Sequence, residues 1–157
     1  MNADLPALRI VQPTEGDGYM IVVRDLFQGV EALSTSSPNV SPRGCALIAA
    51  HTLECALKAF LWHKGKTTRI KKPKGQPKGD HDLVHLWSIA YEEGLPVSQE
   101  PPDWVTILSS GHGPNFYFRY QAGKGRTFVH GGATPALIPM TAELKKVIDV
   151  VEHAVKD

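Results

Sequence analysis

Two histidines four positions apart, His81 and His85 in "KGDHDLVHLWSIAYEEGL" (78–95), have a spacing that suggests chemistry. On a helix they would share one side, as half of a metal site. Zinc needs three or four ligands. His51, His63, His112, His130 and His153 stand at no recognisable ligand spacing, and the chain has no HExxH or CxxC. The pair therefore reads as one histidine at a helix start and one on a helix flank. No metal and no cofactor is expected. His112, between Gly111 and Gly113, reads as a loop residue. Arg126 and His130 are a second pairing.

The third feature is a run of charge. Lys64, Lys66, Arg69, Lys71, Lys72, Lys74 and Lys78 hold 7 of the 17 basic residues within one acid-free segment. The rest of the chain carries 10 basic and 16 acidic residues, a balance of −6. Such a segment attracts phosphate through its local field, although a solvated loop has the same composition. Lys71, Lys72 and Lys74 are the candidates for contact with a nucleic-acid backbone.

The elements that must position these residues read as helices. At 157 residues, with 42% hydrophobic and 21% charged, the chain is most simply one globular domain, 1–157. No run approaches a membrane span, and "MNADLPALRIVQP" lacks the apolar core of a signal peptide. Cys45 and Cys55 fall ten apart on one expected helix, about 15 Å along its axis, too far for a disulfide. They read as reduced core residues of a cytoplasmic protein.

From Gly18 to about Ser34, Val22, Val23, Leu26, Phe27, Val30 and Leu33 follow helical spacing. Ser41 and Pro42 open a second helix, whose stripe is Ala46, Leu47, Ala50, Leu53, Ala56, Leu57, Phe60 and Leu61, with Gly65 at its end. Glu54 and Lys58 stand at i, i+4 in the favourable order. Asp80 is expected to cap a third helix, which buries Leu83, Leu86, Trp87 and Ala90 and closes at Gly94. Pro101 and Pro102 start a short fourth helix that stops at "SSGHGP". "NFYFRYQAGKGRTFVHGG" alternates like an extended arm or hairpin. Thr141 is expected to cap the last helix, with Leu144, Val147, Ile148, Val151 and Val155 on its apolar side. Trp62, Trp87 and Trp104 read as core or interface anchors. The fold class is all-α: an antiparallel up-and-down bundle of about five helices, with one long basic loop and a short extended aromatic segment.

"AAHTLECALKAFLWHKG", a basic gap, "HDLVHLWSIAYEEGL", an aromatic segment ending "FRYQ" and a closing amphipathic helix come in an order that resembles the HEPN family, over about residues 18–156. The resemblance implies an antiparallel helical bundle that forms a homodimer and is linked to nucleotide or RNA binding. Some HEPN proteins are metal-independent ribonucleases, often toxins, and others partner a nucleotidyltransferase. The ribonuclease motif is an arginine and a histidine separated by four to six residues, near the start of the last helix. Here three residues separate Arg126 from His130, and ten separate Arg119 from His130. Arg119 with Tyr120 and Tyr117 is then the expected nucleotide- or RNA-binding element: a guanidinium for phosphate and rings for base stacking. The leading expectation is a nucleotide- or RNA-binding module without strong catalysis. The alternatives are a dimerisation or partner-binding module of a toxin–antitoxin or defence pair, and a metal-independent ribonuclease using Arg126 and His130. Apolar faces of the second and last helices are the candidates for the dimer interface.

Overall fold

The computed structural model describes residues 14–35, 42–76, 79–113 and 134–156, and within them the protein is all-helical. Five helices form a bundle: α1 (Glu15–Thr35), α2 (Pro42–His63), α3 (Leu83–Glu92), α4 (Asp103–His112) and α5 (Leu137–Ala154), with a 3-10 turn at Thr67–Arg69. No strand occurs among the described residues. Ser41, Lys78 and the aromatic segment with Tyr117, Arg119, Tyr120, Arg126 and His130 lie outside them.

α2 is the centre of the bundle. It packs on each of the other four helices, most extensively on α1. Its expected stripe is buried except for half-buried Leu47, and Cys45, Ala49 and Ala59 are buried as well. A helix apolar on all sides has to be surrounded. By length and composition Pro42–His63 would pass for a membrane span, contrary to the expectation from the sequence, but 78% of its most apolar window is buried inside the protein. Small residues (Ala46, Ala49 and Ala50, each fully buried) leave room for a close helix neighbour. Both cysteines are buried free thiols, and burial pushes the Cys55 thiol up to about 11. The α2 face offered as a dimer interface is therefore used within the chain.

Helix starts differ from expectation in three places. α1 begins at Glu15, before Gly18, because Thr14 and Asp17 form a capping box. The Asp17 N–H donates to Thr14 Oγ1 at 3.1 Å, and Asp17 Oδ2 accepts from the Thr14 N–H at 2.9 Å. α3 is capped by Asp82, not Asp80: Asp82 Oδ1 accepts from the His85 N–H at 3.1 Å. α5 starts at Leu137, one turn before Thr141, whose hydroxyl instead donates to Leu137 O at 2.7 Å inside the helix. Pro139 fits that first turn, where N–H groups have no intrahelical acceptor. Gly65 (φ 68°) and Gly94 (φ 93°) follow α2 and α3 in left-handed backbone, as expected of helix-ending glycines.

α4 also runs further than expected, through "SSGH" to His112. Tertiary hydrogen bonds secure this last turn: Ser109 Oγ accepts from the Leu83 N–H at 3.0 Å and donates to Asp82 Oδ1 at 3.2 Å. His112 is thereby a buried helix residue, not a loop residue.

Candidate functional site

Glu54 lies on α2 among Leu53, Ala56 and Leu57 and is only 3% exposed. A buried carboxylate must be paired and hydrogen-bonded, or it neutralises. Three side chains meet it. Lys58, one turn on, donates to Oε1 at 2.7 Å. His81 Nδ1, before α3, lies 3.0 Å from Oε2, and His112 Nε2, ending α4, lies 2.5 Å from the same oxygen. Burial acts to raise the Glu54 pKa, but the hydrogen bonds from His112, Lys58 and His81 outweigh it and hold the carboxyl well below the usual range.

An ionised carboxylate only accepts, so His81 Nδ1 and His112 Nε2 both carry hydrogen. The other ring nitrogen of His112 is Nδ1. That atom is buried with no hydrogen-bond partner among the described residues. Leaving a buried polar atom unsatisfied costs about 1–3 kcal/mol. His51, one turn before Glu54, brings a third imidazole: its ring centroid is 6.3 Å from that of His112, and the His81 ring stands edge-on to His112 at 6.1 Å. Ligand atoms of His51, Glu54 and His112 lie within 4.8 Å of one another, a donor set able to hold a metal ion.

The opening pair of histidines does not act as a pair. His81 turns to Glu54, while His85 Nε2 lies 3.1 Å from Arg69 O. His81 and His112 are 27 and 58 residues from Glu54, so spacing alone could not join them. One signal was available: a Glu–Lys pair on a helix apolar all round must be buried, and a buried carboxylate needs several donors.

The basic segment is less solvated than its composition suggests. Arg69 pairs with Glu92 and Glu93, Lys66 with Glu93 at 3.3 Å, and Lys72 with Asp82 at 2.6 Å. Ile70 is buried beneath them, and Lys64 sits over the Phe60 ring at 5.6 Å. Burial acts to raise the Asp82 pKa, but hydrogen bonds from Lys72 and the His85 N–H lower it overall. Of the three proposed phosphate contacts, Lys72 is committed to Asp82, while Lys71 and Lys74 are exposed and make no ion pair among the described residues.

Lys71 borders a cavity of about 560 Å³ between α1, α2 and the 3-10 turn. Half-buried Tyr19 and Trp62 supply rings, Lys58 and Lys71 cations, Thr67 and Thr68 hydroxyls, and Glu15 and Asp80 carboxylates. This size suits a nucleotide-sized ligand. A larger cavity, about 650 Å³, lies between α2 and α5, and Phe60 is the aromatic residue that lines it.

Comparison with family models, with curated proteins and with solved structures finds no match to this chain.

Proposed function

We infer that this protein is a HEPN-like module, an antiparallel up-and-down bundle with a long basic loop, that binds a nucleotide or RNA in the cytoplasm without strong catalysis. The cavity between Tyr19, Trp62, Lys58 and Lys71 carries the reading, since rings for a base and cations for phosphate line one opening. Stacking contributes about 1–3 kcal/mol per base. Lys58 already serves Glu54, so Lys71 is the cation left for phosphate at that opening, with Lys74 further along the loop. Arg119, Tyr120 and Tyr117 extend the same reading beyond the described residues. Two copies would pair as HEPN proteins do, and the exposed apolar side chains at hand are Ile21, Val22 and Ile138. A nucleotidyltransferase or an antitoxin is the partner class of this reading.

The test is anisotropy of a labelled oligoribonucleotide, with ATP as competitor. Trp62→Ala should weaken binding by about thirtyfold, the middle of the stacking range. With Lys71, Lys74 and Arg119 on phosphate, log Kobs should fall against log salt with a slope of about −2.1. Affinity unchanged in both Trp62→Ala and Lys71→Ala would end the reading.

A further inference from the structure

We propose that His51, Glu54 and His112 form a binding site for one divalent transition-metal ion of the zinc class. This site does not rest on the nucleotide reading, although Lys58 borders both. Two imidazoles and a carboxylate are the donor set of a zinc site that keeps its fourth position open, and nitrogen donors disfavour magnesium and calcium.

The geometry fits in four respects. His51 and Glu54 stand at i, i+3 on α2, a spacing with which bundle helices present metal ligands. The ligand atoms lie within 4.8 Å of one another. Tetrahedral bonds of 2.0–2.1 Å place donors about 3.3 Å apart, so the widest pair has to close by at most about 1.5 Å while the 2.5 Å contact between His112 and Glu54 opens to admit the ion. The Glu54 oxygens are also divided between partners: Lys58 holds Oε1, and the histidines meet Oε2. A metal on Oε2 leaves the lysine in place to orient the carboxylate, as second partners of metal ligands do. Finally, His112 Nε2 already lies at Oε2, and no partner among the described residues holds Nδ1, so no hydrogen bond on that side keeps the ring from adjusting to an ion.

His81 completes the arrangement from outside. Its side chain is 33% exposed and touches the same Oε2, so it lies on the path from solvent to the open position. Binding exchanges imidazole N–H···O contacts for nitrogen–metal and oxygen–metal bonds, and any proton displaced goes to solvent.

The experiment uses the whole chain, stripped by a chelator and titrated with Zn²⁺ alone. Calorimetry should give one equivalent, and thermal unfolding should rise by about 5–10 °C at a hundredfold excess over Kd. His51→Gln and His112→Gln should each lose at least tenfold in affinity, while His63→Gln/His153→Gln, which removes exposed histidines, should bind as wild type. If neither the His51 nor the His112 variant folds, zinc-induced changes in the histidine ring resonances of wild-type protein decide the matter, and they must centre on His51 and His112. No saturable uptake, binding that survives both His51→Gln and His112→Gln, or ring changes confined to His63 and His153 would overturn the site.

Discussion

The Glu54 cluster and the 64–76 segment use the same residue types, carboxylates facing lysine, arginine and histidine, in opposite surroundings. Glu54 and Lys58 are side chains of 4% and 10% exposure, while Arg69 and Glu92 are 37% and 56% exposed. Water screens the second pair and not the first. The buried group must therefore be satisfied in full, and α2, α3 and α4 are fixed relative to one another in doing so. The surface group only decides where a loop rests.

Removing one member of each group separates them. Glu54→Ala strands Lys58 without its buried partner and should cost about 3–5 kcal/mol in urea unfolding. A loss no greater than that of a surface substitution would erase the distinction. Acid comes next. Glu54 and Asp82 have folded pKa values below their ordinary 4.5 and 3.8. The stability they contribute is therefore present above those ordinary values and lost as the pH falls through the folded ones. In about 1 M salt, where the screening length is about 3 Å, the loss attached to buried Glu54 should persist. Its disappearance in salt would place Glu54 in solvent.

Gly79→Ala probes how firmly the loop is seated. A Cβ there would lie 2.6 Å from Lys72 Cγ, 2.9 Å from His85 Cδ2 and 3.1 Å from Ile70 O. The expected cost is about 1–3 kcal/mol, and a neutral result would mean that the loop does not hold this path. Arg69→Ala should have the smallest effect, and the difference from wild type should shrink further in high salt. A change rivalling Glu54→Ala would make the loop a structural element in its own right.

The helices were legible because apolar spacing reports burial directly: Leu83, Leu86, Trp87 and Ala90 are buried as their periodicity requires. Helix starts were less so, since Thr14–Asp17 and Asp82–His85 are local bonds that compete with equally plausible neighbours. The polar cluster was not legible. "SSGHGP" has the composition of a turn, but the hydrogen bonds of Ser109 to α3 and its cap secure the helix through His112 and bring that residue to Glu54. The loop charges misled in the other direction: an acid-free run implied exposed cations, yet Glu92, Glu93 and Asp82 reach it from elsewhere in the chain.

The most direct test is the tautomer of His112, read from nitrogen-15 ring correlations in metal-free protein at neutral pH. An ionised Glu54 that gathers its neighbours predicts hydrogen on Nε2. Hydrogen on Nδ1 with a bare Nε2 would contradict it, because Glu54 would then have no donor on that side.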